Sequence, residues 1–209
     1  YDPEKRVALI VDEWGTWYTV EPGTNPGFLY QQNTLRDALV AGINLNLFHA
    51  HADRVRMANI AQTVNVLQAM VLTEGKRMLL TPTYHVFHMY QQHMGARNLP
   101  VALSTPLYTM GSEQIGALHA SASLAENGSV TVSICNLDHE HAIDLSVALA
   151  EDRFHCVKGK VLAADRLQAH NTFDEPETVV PQCFEGASLE GSSVQLRMPA
   201  ASVVVLSLC

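Results

Sequence analysis

The residues best equipped for chemistry stand together near the start of the chain. Glu13 follows the run RVALIVD at residues 6–12, and Trp14 and Trp17, the two tryptophans present, lie beside it. A near-continuous aliphatic run predicts a parallel strand buried on both faces. The C-terminal end of such a strand is where parallel α/β barrels place catalytic side chains. A carboxylate there can attack an anomeric carbon, while aromatic faces pack on sugar C–H surfaces. The competing reading is a solvated carboxylate that closes a strand. Asp12 precedes Glu13 and points to the opposite side of an extended strand, so it reads as structural. Gln62 lies near the end of a second strand-like segment at residues 55–66. Its amide both donates and accepts, which suits a sugar hydroxyl; a turn-stabilising amide is the alternative.

Other chemistries find less support. There are ten histidines. His85 and His88 share a helical spacing, His139-Glu140-His141 forms a polar turn, and His49 and His51 diverge on a helix. None has a third ligand in place, so no metal is expected. The four cysteines, Cys135, Cys156, Cys183 and Cys209, form no CxxC pair and read as free thiols in a reducing cytoplasm. Ser104 and Cys135 lack an elbow or triad setting. Asn127-Gly128-Ser129 reads as a turn, not a glycosylation site.

The elements that must position these groups change character near residue 95. Before it, a helix is predicted over 34–52. Thr34 is its N-cap, Asp37 its capping-box partner, and Leu35, Leu39, Ile43 and Leu47 its apolar stripe. Gly42 inside that helix predicts close packing against a neighbour. A second helix starts near Thr81 with Pro82 at its first position, and Gly95 suits its C-terminal cap. The order is strand, helix, strand, helix: two βα units of a parallel fold. After residue 95, short strands are predicted at 129–135 (half-buried), 143–147, 159–163, 194–198 and 202–208, which suggest an antiparallel β-sandwich. Two βα units cannot close a sheet. The first strand would leave an unpaired apolar edge, so something upstream is expected to cover it.

Composition sets outer limits. The chain has 209 residues and a net charge of −8, with few, scattered lysines and arginines. That argues against nucleic acid or an anionic membrane as a partner. No apolar run reaches the roughly 20 residues needed to span a bilayer. The opening Tyr1-Asp2-Pro3-Glu4-Lys5-Arg6 is no signal peptide, and a strand follows at once, as in a fragment.

Val11-Asp12-Glu13-Trp14-Gly15-Thr16-Trp17-Tyr18 resembles the nucleophile strand of glycoside hydrolase family 51. The family usually has Asn where this chain has Gly15. His51-Ala52-Asp53-Arg54-Val55 and Ala61-Gln62-Thr63-Val64-Asn65-Val66 resemble segments around that family's eighth barrel strand. His170-Asn171-Thr172-Phe173-Asp174-Glu175-Pro176 and Met198-Pro199-Ala200-Ala201-Ser202-Val203-Val204-Val205-Leu206 resemble signatures of its C-terminal β-domain. The four segments occur in family order along nearly the whole chain.

The resemblance implies the C-terminal fragment of a (β/α)8 barrel followed by an antiparallel β-sandwich. Residues 1–97 would be the last two βα units and residues 98–209 the sandwich. It implies Glu13 as nucleophile, Gln62 as a contact to the arabinofuranose, and Trp17 on the leaving-group side. The general acid/base, an Asn-Glu glutamate of the fourth strand, is expected upstream of Tyr1, because Glu21 and Glu74 do not match its position. The implied parent is a cytoplasmic, cofactor-free, retaining α-L-arabinofuranosidase, homo-oligomeric, acting on arabinose-containing oligo- or polysaccharides. The chain alone is expected to be inactive. The rivals are a non-catalytic carbohydrate-binding β-sandwich and a different retaining barrel glycosidase.

Overall fold

A computed structural model describes residues 2–209. The first half runs β1 (Leu9–Trp14), α1 (Leu35–Ala50), β2 (Val55–Ile60), a hairpin of β3 (Val71–Glu74) and β4 (Arg77–Leu80), and α2 (Pro82–Tyr90). The strands that follow are β5 (Arg97–Leu99), β6 (Leu107–Met110), β7 (Glu113–Gly116), β8 (Leu118–Leu124), β9 (Val130–Asn136) and β10 (Ile143–Ala148). The last are β11 (Val157–Leu162), β12 (Gln182–Cys183), β13 (Ala187–Glu190), β14 (Ser193–Met198) and β15 (Ser202–Leu208). Strands thus outnumber helices by a wide margin.

β1 and β2 pair in parallel. β12-β11-β15-β9-β8-β5 form a six-stranded antiparallel sheet, and β10-β14-β13 a three-stranded one. Val132, Ile134, Val204 and Leu206 of the larger sheet meet Val194, Leu196 and Met198 of the smaller one in a shared core. The other face of the larger sheet packs on the helices. Leu35, Ala38 and Leu39 of α1 and Val86 and Met89 of α2 meet Cys135, Val203 and Val205 there. The molecule is therefore layered as helices, large sheet, small sheet, and β9 and β15 are buried from both sides. The expectation of a half-buried strand at 129–135 is corrected by this layering. Its alternate residues face two cores, not one core and water.

α1 starts as its sequence dictates. The Asp37 carboxylate accepts from the Thr34 backbone N–H at 2.8 Å, completing the capping box. Gly42 meets the sheet directly: a Cβ there would lie 2.6 Å from Cys135 Sγ. The apolar stripe is shifted from its expected line. Leu35 and Leu39 are buried, but Leu47 is 40 % exposed, while Ala38, Ala41 and Asn46 are buried instead. α2 has Thr81 as N-cap and Pro82 in its first turn, as expected. A 3₁₀ turn (Gln91–His93) follows it, so Gly95 closes that turn and not the helix itself.

A polar seam joins helices to sheet. His93 Nδ1 lies 2.7 Å from Ser123 Oγ and its Nε2 2.6 Å from Ser133 Oγ. His49 Nδ1 lies 3.0 Å from Ser121 Oγ, and that hydroxyl donates to Asn46 Oδ1 at 2.7 Å. Tyr90 also donates to Asn46 Oδ1, at 3.1 Å. Burial pushes the Cys135 thiol up to about 12. Among the described residues, no cluster of three or more His, Cys, Asp or Glu side chains is placed to hold a metal ion.

The expectation of four free thiols is corrected. Cys156 and Cys209 form a disulfide, with Cα atoms 5.4 Å apart; Cys135 and Cys183 are free. The cause is register. β11 and β15 pair antiparallel with Val157 opposite Leu208. The next residues outward, Cys156 and Cys209, continue that ladder through paired backbone hydrogen bonds. Spacing along the chain carries no trace of this meeting, since the two residues are 53 apart.

Candidate active site

The site begins with the direction of one strand. Side chains alternate between faces along a regular strand, but β1 carries a register irregularity against β2 between Val11 and Trp14. Trp14 turns towards the helices, edge-on to Phe48 at 5.2 Å and stacked with Phe87 at 5.9 Å between ring centroids. Glu13, its neighbour on β1, is exposed. Asp12 is exposed as well.

The parallel pairing brings Gln62 to the same end. Trp14 is in register with Ile60, and the Ala61 N–H donates to the Trp14 carbonyl at 2.9 Å. Glu13 and Gln62 thus stand at the C-terminal ends of adjacent parallel strands. The Ala61–Gln62 peptide bond is cis. Trp17 follows in the loop after β1 and is 67 % exposed. Glu13, Trp17 and Gln62 are all exposed. Glu74 is tied into an ion pair with Arg77 at the β3–β4 hairpin, and Arg77 also reaches Asp174. Tyr30 is held above its usual range by burial, then by the nearby charges of Glu21 and Glu74.

Beneath the loop lies a set of buried polar groups that sequence reasoning missed. The Thr16 N–H donates to Gln68 Oε1 at 2.9 Å, and the Thr16 hydroxyl to Asp37 Oδ1 at 2.8 Å. Gln68 Nε2 donates to the Asp37 carbonyl at 2.7 Å and to Thr83 Oγ1 at 3.2 Å. Gln31 Nε2 donates to the Thr16 carbonyl at 3.0 Å, and its Oε1 accepts from the Tyr18 N–H at 2.8 Å. The Arg36 guanidinium lies 3.9 Å above the Tyr18 ring. Asp37 was legible as a cap; that its second oxygen holds the site loop was not. Gly15, at φ +139°, has Gln68 Oε1 2.9 Å from where a Cβ would stand. The Gln68 amide fills the space a side chain at this position would need.

Comparison with known proteins follows the same lines. The family model for the α-L-arabinofuranosidase C-terminal domain matches residues 12–202. The chain is 42 % identical over 209 residues to an intracellular exo-α-L-arabinofuranosidase of Bacteroides ovatus, covering 100 % of this chain and 41 % of that protein. It is 32 % identical over 197 residues to an intracellular exo-α-(1→5)-L-arabinofuranosidase of Streptomyces lividans, covering 89 % of this chain and 30 % of that protein. Among solved structures, it is similar to the GH51 arabinofuranosidase of Xanthomonas axonopodis pv. citri. There the TM-score is 0.97 at 51 % identity, covering 100 % of this chain and 42 % of the other. A family 51 α-L-arabinofuranosidase of Bifidobacterium longum gives a TM-score of 0.85 at 27 % identity, covering 97 % and 42 %. The chain thus spans less than half the length of each of these proteins.

Proposed function

The chain belongs to the α-L-arabinofuranosidase C-terminal domain family, and on that premise we propose that it is the C-terminal part of a retaining exo-α-L-arabinofuranosidase. In this reading residues 1–97 are the last two βα units of a (β/α)8 barrel, and residues 98–209 are the β-sandwich that follows. Glu13 is the nucleophile. Its carboxylate attacks the anomeric carbon of a terminal α-L-arabinofuranosyl residue, the glycosidic oxygen leaves with a proton, and water then releases arabinose with retention. The proton comes from a glutamate in the remainder of the enzyme. Gln62 hydrogen-bonds the sugar, and Trp17 lines the leaving-group side. No cofactor takes part.

The observation that carries this reading is the place of Glu13. It stands exposed at the C-terminal end of a parallel strand, one strand from Gln62. Barrel enzymes place their catalytic groups at that end. The substrates are arabinose-containing oligo- or polysaccharides, in keeping with the names of the relatives. We place the enzyme in the cytoplasm because two relatives are named intracellular. There the Cys156–Cys209 pair is exposed to thiol reductants. No helix among the described residues is long and apolar enough to cross a membrane. The full-length enzyme is a homo-oligomer in this reading.

The test is a panel of nitrophenyl glycosides offered to the full-length enzyme. Hydrolysis of the α-L-arabinofuranoside in preference to pyranosides is expected. Glu13→Gln should lower kcat by on the order of 10⁴-fold or more, the scale of losing a covalent nucleophile. Preference for a pyranoside, or full activity of Glu13→Gln, would overturn the assignment.

A further inference from the structure

We propose that Gln68 is a positioning residue that fixes Trp17 for the leaving group, a role that rests on the reading of Glu13 and Trp17 above. Trp17 is 67 % exposed, so packing does little to hold its ring. Its place is set by the backbone on either side, and both sides are clamped. Thr16 is held at its N–H by Gln68, at its carbonyl by Gln31 and at its hydroxyl by Asp37. Tyr18 is held at its N–H by Gln31. The three clamping side chains are themselves buried, at 0 to 1 % exposure. Solvent does not compete for their hydrogen bonds, and losing one partner leaves another buried group unsatisfied.

Gln68 is the member that links the loop to the helices. Its Oε1 accepts from Thr16, while its Nε2 donates to the Asp37 carbonyl in α1 and to Thr83 in α2. A carboxamide does both at this reach; a carboxylate lacks the donor and a hydrocarbon lacks each. Gly15 completes the arrangement, since a side chain there would collide with the Gln68 amide. The nucleophile strand, the Trp17 loop and the starts of both helices are thereby one hydrogen-bonded unit.

The experiment is a double-mutant cycle in the full-length enzyme with an arabino-oligosaccharide as substrate. Gln68→Met keeps the volume and removes every hydrogen bond of the side chain. It should lower kcat/KM about tenfold or more in the Trp17 enzyme, since small misplacements of a binding group are costly. In a Trp17→Ala background the same change should cost less than about twofold, because the positioned group is gone. Equal losses in both backgrounds, or no loss in either, would overturn the role of Gln68. Should Gln68→Met fail to accumulate as folded protein, Thr16→Val serves in its place. It leaves both buried amides in place and removes the hydroxyl that meets Asp37, Gln68 and Gln31. A loss that again depends on Trp17 is expected, and a loss independent of Trp17 would overturn the positioning role of the clamp. A parent enzyme whose arabinofuranosidase activity is absent, or survives Glu13→Gln, would instead overturn the underlying functional reading.

Discussion

His93 has a serine hydroxyl on each ring nitrogen, and that arrangement suits a neutral imidazole, one nitrogen donating and the other accepting. Burial, followed by the His49 ring whose centroid is 4.4 Å away, pushes its pKa from 6.5 down to about 3. Burial lowers His49 and His85 as well, His85 to about 4. Unfolded, these imidazoles take up protons near pH 6.5; folded, they do not. Their contribution to stability is thus fully present above pH 6.5 and is lost as pH falls towards the folded values. The melting temperature should therefore drop steadily from pH 7 to pH 4. Each imidazole that titrates steepens the slope by at most about 1.4 kcal/mol per pH unit. Gln in place of His93 can still meet both serines but cannot charge, so His93→Gln should flatten the profile. An unchanged profile would refute the assignment. At this scale the position of Glu13 at a strand end was legible in the hydrophobic run, while the role proposed for it rests on resemblance. Gln68 was not, because its partners at Thr16, Asp37 and Thr83 are distant in sequence and nothing in their spacing marks them.

The helices show which element features a sequence carries. The start of α1 was readable from Thr34 and Asp37, because a capping box is local chemistry. Gly42 was readable as a packing position, and its reason is the Cys135 sulfur pressed against the helix. Gly42→Ala should cost about 1–3 kcal/mol through overpacking, despite the better helix propensity of alanine. Adding Cys135→Ala should recover much of that loss, since the second change removes the colliding atom. Chemical denaturation of the two single variants and the double variant measures this; additive losses would mean the contact is not what opposes alanine. The hairpins β3–β4 and β6–β7 were not legible. Their strands are short, and much of what they present is exposed, including Met78, Leu107, Met110 and Ile115, so no clean alternation marks them. The β9 pattern misled for the opposite reason. Thr131, Ser133 and Cys135 look like a solvent face but lie in a buried seam under the helices.

At the scale of the whole molecule, β1 and β2 stand out as apolar strands without cover. The sequence predicted burial on both faces, yet Leu9 is 48 % and Ile10 53 % exposed, and Met57, in register with Ile10, is 52 % exposed. The two strands pair only with each other among the described residues. Neighbouring barrel strands would supply the missing cover in the proposed enzyme, which the relatives' greater length leaves room for. Residues 1–209 made alone should therefore self-associate with rising concentration, because open apolar strands recruit one another. Sedimentation velocity measures this directly. Lysine at both Ile10 and Met57 places charge on one face of the pair and should shift the chain towards monomer. A wild-type chain that stays monomeric would mean these strands need no neighbours, and the barrel reading would lose its main structural support. The same preparation should show no turnover of an α-L-arabinofuranoside, since retention needs two carboxyl groups about 5–5.5 Å apart and the proposed mechanism draws only one, Glu13, from these residues. Turnover abolished by Glu13→Gln in that preparation would place the acid/base inside residues 1–209 and move the search for it to this chain.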